Sequence, residues 1–129
     1  MGHRLIHDFM VVITAHGLFE RHPGLRIASI ENGVAWVSGA LDTMRSLSGS
    51  VGRDLVAQFH EHVWVTPFTH DDVPALTELV PVERILFGSD YPHAEGFAEP
   101  RQFMTLLEGL PAETQRRIMR DNARELMRG

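Results

Sequence analysis

With 129 residues, 43% of them hydrophobic and 22% charged, the chain has the make-up of one globular domain or of part of a larger one, and general disorder is excluded. A formal net charge of -5, with the arginines scattered, argues against a nucleic-acid footprint, and no apolar run approaches the ~20 residues of a membrane span. The absence of cysteine excludes disulfides and thiolate ligands, so any metal has to be held by His, Asp or Glu, and eight histidines leave that open.

The opening MGHRLIHDF lacks the apolar stretch of a secretory signal, and a cytoplasmic location is expected. Leu5, Ile6, Phe9, Val12, Ile13, His16 and Phe19 recur three and four apart, which predicts an amphipathic helix ended by Pro23 and Gly24. His16 lies on its apolar stripe and reads as a hydrogen-bonded core or boundary histidine. LRIASIENG predicts a strand from Leu25 to about Glu31, apolar enough for a parallel strand covered on both faces. Val34, Val37, Ala40, Leu41 and Met44 predict a second helix that runs out in SLSGSVG, a surface loop.

After a short helix near Leu55 to Phe59, HVWVTPF predicts a strand from His62 to Thr66, stopped by Pro67. THDDVPALTELV opens with capping acids and a first-turn proline and predicts another helix. ERILFGSD predicts a third strand, and EPRQFMTLLEGL and PAETQRRIMRDNARELM predict two closing helices. Strands separated by helical segments imply right-handed crossovers and a parallel α/β sheet. Three strands alone would leave two uncovered edges, so the sheet needs further cover.

In such architectures ligands bind where the loops leave the carboxyl ends of the strands. Asp90 falls at the end of the third predicted strand, Glu31 and Asn32 follow the first, and Thr66, Phe68 and His70 follow the second. Three strand ends thus carry polar side chains to one face. Asp90 can equally cap the turn into the next segment, and Glu31 can be a satisfied acid near a helix N-terminus. Tyr91 and His93 lie in the loop that would roof the site, placed to touch substrate or to sit on open surface. HEH at His60 to His62 has the spelling of a metal pair but precedes its strand, on the face a barrel keeps for stability, and reads as a solvated connection. Trp36 and Phe68 can wall a pocket, although packing is the simpler role.

FGSDYPHAEG followed by RRIMRDNARELM, with LFERHPGLRIASIENGVAW upstream and VWVTPF between, resembles the C-terminal part of the amidohydrolase-related family (amidohydrolase 2). These are metal-dependent (β/α)8 TIM barrels that include hydrolases and decarboxylases of the aminocarboxymuconate-semialdehyde and resorcylate type. The resemblance covers nearly the whole chain and implies one partial barrel domain, residues 1–129, whose strands are the sixth to eighth. It implies that Asp90 is a metal ligand and a base toward bound water or substrate, with Glu31, Tyr91 and His93 as substrate-binding candidates. The implied substrate is a small carboxylated, amide or ester compound, with hydrolysis and decarboxylation both open.

The family's first-strand histidine pair and fifth-strand histidine would lie before Met1, and Glu31 stands where many members have a sixth-strand histidine. A divalent metal, zinc being the expected ion, therefore belongs to the complete barrel and is not expected to be held tightly by this chain alone, which should be inactive in isolation. The other expectation is a non-catalytic half-barrel whose exposed edges are covered by a partner chain or oligomer. Asn122 matches a position the family also fills with asparagine and reads as helix packing.

Overall fold

The structure is a computed structural model in which residues 2–128 are described. It divides into two units, one running up to Ile27 and including Ala35–Val63, the other formed by Ala28–Val34 and the chain from Trp64 onward.

In the first unit, α1 (Gly2–Ala15) forms where the periodicity placed a helix but buries a neighbouring face. Met10, Val11 and Thr14 are buried, whereas Leu5 is 77% exposed and Phe9 and Val12 are each 52% exposed. His16 is also exposed, against the expectation of a core or boundary position. The helix has two adjacent apolar columns, and its period fits either. The Thr14 hydroxyl donates to the Met10 carbonyl at 2.7 Å, which makes this polar residue compatible with the buried column. The helix stops at Ala15, short of Phe19, because Gly17 takes a left-handed φ of 76°. A separate turn, α2 (Leu18–Arg21), then buries Phe19.

Helix α3 (Val37–Val51) buries Val37, Ala40, Leu41 and Met44, as their spacing predicts, at roughly 1.5–3 kcal/mol for each large side chain. It continues through most of SLSGSVG, the predicted loop. Ser46 and Ser48 donate back to the carbonyls of Asp42 and Met44, so their hydroxyls are satisfied inside the helix, and Gly52 ends it at φ 69°. Helix α4 (Leu55–His62) is capped by Asp54, whose carboxylate accepts from the Ala57 amide at 2.9 Å. It runs through HEH, which is therefore no solvated connection at its end. His62 is buried, stacked on Phe19 with ring centroids 4.4 Å apart, and its Nδ1–H donates to the Leu25 carbonyl at 2.8 Å.

The strands β1 (Ile27–Ser29) and β2 (Val63–Val65) pair in parallel and are shorter than predicted. The third predicted strand is a single parallel bridge from Val65 to Ile85, with the Leu86 amide donating to the Val65 carbonyl at 2.9 Å. It stays short because neighbouring peptide groups are bonded elsewhere: the Arg84 and Ile85 amides donate to the Pro81 and Val82 carbonyls in a 3-10 turn. The Asn122 amide donates to the carbonyls of Val82 and Ile85 at 2.7 and 2.8 Å, and the Phe87 amide donates to Ile118.

Helix α5 (Val73–Thr77) is capped by Asp72 with Pro74 in its first turn, as predicted, and buries Val73 and Leu76. Pro100–Leu107 forms a 3-10 helix burying Phe103 and Leu107. The closing segment is α6 (Ala112–Arg116), a π turn over Arg117–Asp121, and α7 (Asn122–Arg128). Among the described residues no helix is long and apolar enough to cross a membrane.

Candidate metal and substrate site

Three chain segments of the second unit converge where the strands end. The peptide after β1 turns sharply at Glu31, whose φ of 59° is left-handed, and Asn32 folds back so that its amide donates to the Ser29 hydroxyl and the Ile30 carbonyl. Asn32 is thus spent on the turn. The Asp71 carboxylate then ties this loop to the next, accepting from the Val34 amide at 3.1 Å and the Phe68 amide at 2.6 Å. The sequence pattern offers Asp71 and Asp72 together as capping acids; Asp72 alone caps the helix, and Asp71 is used to tie the two loops.

The third segment carries the acid that the strand pattern singled out. Asp90 is also left-handed, at φ 55°, in a loop closed by the Phe97 amide on the Ser89 carbonyl and the His93 amide on the Asp90 carbonyl, at 2.8 and 2.9 Å. Gly96 is required here, because a Cβ would come within 2.5 Å of the Asp90 carbonyl oxygen. Left-handed conformations at non-glycine residues are uncommon and concentrate where surrounding structure over-determines them for a purpose. The described residues contain two, Glu31 and Asp90.

These turns bring Glu31, Asp90 and His93 together. His93 Nδ1 lies 2.9 Å from Asp90 Oδ1 and 3.2 Å from Glu31 Oε1. The Asp90 side chain is 15% exposed, whereas those of Glu31 and His93 are more than half exposed. The hydrogen bond from His93 to Asp90, with the negative charges of Asp90 and Glu31, raises the imidazole above its ordinary value of 6.5. Asp90 Oδ2 has no partner among the described residues.

The three residues each offer a donor atom within 4.8 Å of the others, two carboxylate oxygens and one imidazole nitrogen. Carboxylate oxygens and imidazole nitrogens are ligand types that divalent cations take, although His93 Nδ1 is here engaged with Asp90 and Glu31. A cavity of about 200 Å³ adjoins the group, lined also by Ile30, Thr66, Phe68, Gly88 and Tyr91. Tyr91, 65% exposed, stands at its rim. His70 is exposed and its ring lies 5.8 Å from that of Phe68, while Trp36 is buried against Phe59 and has a packing role in the first unit.

Two acids and a histidine gathered at the carboxyl ends of parallel strands stand where α/β folds bind ligands. The amidohydrolase family model matches residues 5–129, and the chain belongs to the amidohydrolase family. It is similar to the crystal structure of an amidohydrolase from Mycobacterium avium subsp. paratuberculosis K-10, at 40% identity and a TM-score of 0.94. The match covers 98% of this chain and 34% of that one, so the chain spans about a third of the length of that enzyme. No curated protein matches. The mixed architecture with its parallel strand pair is consistent with a partial TIM barrel.

Proposed function

We propose that this chain supplies the sixth to eighth strands of a metal-dependent (β/α)8 hydrolase and that Asp90 is its metal-binding carboxylate and base. The observation that carries the reading is the convergence of Glu31, Asp90 and His93 at the strand ends, with one oxygen of Asp90 held by His93 and the other unpartnered. A divalent cation, zinc by preference, would be held by Asp90 with ligands from strands outside this chain, and would supply Lewis acidity and a bound water with its pKa lowered from 15.7 to about 7.

The chain's own residues then have defined tasks. His93 donates its Nδ1–H to Asp90 Oδ1 and fixes the carboxylate, leaving Oδ2 to accept a proton from the attacking water. As the bond to the leaving amine or alcohol breaks, Asp90 returns that proton to it. Glu31 approaches the same His93 Nδ1 at 3.2 Å and, with the Tyr91 hydroxyl at the rim, contacts substrate. The match to amidohydrolases supports hydrolysis of an amide or ester over decarboxylation. The isolated chain should hold zinc weakly and be inactive.

A structural reading also has an observation in its favour. The exposed column Leu5, Phe9 and Val12 on α1 is too apolar for a free surface and favours assembly with a chain or segment carrying the amino-terminal strands. One experiment addresses both readings: combine the chain with the amino-terminal part of the mycobacterial relative, add zinc, and assay amide and ester hydrolysis. Restored turnover that falls roughly 10²–10⁴-fold in Asp90→Asn is expected. Assembly with no turnover would support the half-barrel alone, and turnover indifferent to Asp90→Asn would sink the catalytic reading.

A further inference from the structure

The geometry points to Thr66 as a substrate-contacting residue that hydrogen-bonds a carboxamide or ester group bound in the cavity beside Asp90. Thr66 lines that cavity and is only 7% exposed, yet its hydroxyl has no hydrogen-bond partner among the described residues. Buried hydroxyls are almost always paired, and an orphan costs about 1–3 kcal/mol, so one that persists calls for a specific reason.

The surroundings explain why it cannot find a partner within the fold. The Thr66 amide is already bonded to the Ser29 carbonyl at 3.2 Å, and the preceding Val65 carbonyl accepts from Leu86, so the backbone at the end of β2 is fixed. The γ-methyl lies where a Cβ on residue 88 would stand, and only the absence of a side chain at Gly88 makes room for it. With the methyl seated there, the hydroxyl is confined to another staggered position of a side chain that is stiff at χ1. The strand is otherwise VWV, and a valine at 66 would fill the same volume without an unsatisfied group.

A hydroxyl both donates and accepts, whereas Glu31 and Asp90 only accept when ionised. A neutral carboxamide matches the set, its carbonyl taking the Thr66 O–H and its N–H groups facing the carboxylates. This inference rests on the hydrolase reading for the choice of an amide, but its test requires neither metal nor turnover.

The test is a titration of the isotope-labelled 129-residue chain with benzamide, followed by NMR. Saturable binding is expected, with shifts at Thr66, Gly88 and Asp90, weakened at least about fivefold in Thr66→Val and kept within about twofold in Thr66→Ser, the loss of one hydrogen bond being worth on the order of 1 kcal/mol. Equal affinity in wild type and Thr66→Val, or no saturable binding to wild type, would overturn the assignment. Should Thr66→Val fail to fold, Thr66→Ser against Thr66→Ala repeats the comparison without the methyl, and equal affinities there would overturn it too. Binding that depends on Thr66 while turnover of the assembled barrel ignores Asp90→Asn would separate this proposal from the hydrolase reading.

Discussion

The charge of His93 depends on the site being formed. Its Nδ1 faces Asp90 and Glu31 together, and both acids favour the imidazolium. The pKa of the folded state is therefore above the ordinary 6.5. The stabilisation from this contact is fully present below pH 6.5 and is lost as pH rises through the raised folded value. A titration of the His93 ring by NMR should give a midpoint above 6.5 that falls back toward it in Asp90→Asn, with Glu31→Gln causing a smaller decrease. A midpoint unmoved by Asp90→Asn would mean that the two side chains do not meet in solution. The placing of Asp90 and Glu31 at strand ends was legible in the sequence because a strand-to-loop boundary fixes where a side chain goes, whereas His93 could be placed only in the loop beyond. Thr66 could be placed at a strand end, but its unpaired hydroxyl depends on Gly88 and Ser29, which only folding brings beside it. His62 was misread for a related reason: its burial depends on a ring stack with Phe19, 43 positions earlier, that no local pattern announces.

At the scale of elements, helix existence followed from periodicity while boundaries followed from hydrogen bonds that the sequence does not display. SLSGSVG contains two glycines and three serines and looks like a loop, yet the serine hydroxyls bond back along α3 and the helix persists to Val51. The third strand shows the opposite failure. ERILF has strand composition, but Asn122 takes the Ile85 carbonyl within it and the Val82 carbonyl just before it, leaving one bridge of pairing. Asn122 is thus more than packing between helices, since it clamps the segment that leads into Asp90. Its amide orientation is fixed by having two carbonyl acceptors. Asn122→Ala should destabilise the chain by about 1–3 kcal/mol in urea unfolding, because the buried Ile85 carbonyl and the part-buried Val82 carbonyl lose their donor. A change within about 0.5 kcal/mol, the range of an ordinary surface substitution, would show that water replaces the amide.

For the whole molecule, the sequence pattern of alternating helices and parallel strands implied a larger sheet than three short segments can close, and family membership with 34% coverage of a related enzyme agrees. The exposed α1 column of Leu5, Phe9 and Val12 belongs to the same account, because a helix of a closed barrel would have neighbours there. Its exposure could not be read from periodicity, which places an apolar stripe on a helix without saying whether the partner lies in the same chain. The central claim concerns the site that such a barrel would complete. The most direct test is zinc titration by calorimetry of the chain assembled with the amino-terminal part of the mycobacterial relative, comparing wild type with Asp90→Asn. The account predicts one zinc per assembly, bound at least roughly tenfold more weakly once Asp90 is replaced, as for loss of a group at a metal site. Equal affinity in the two assemblies would contradict it.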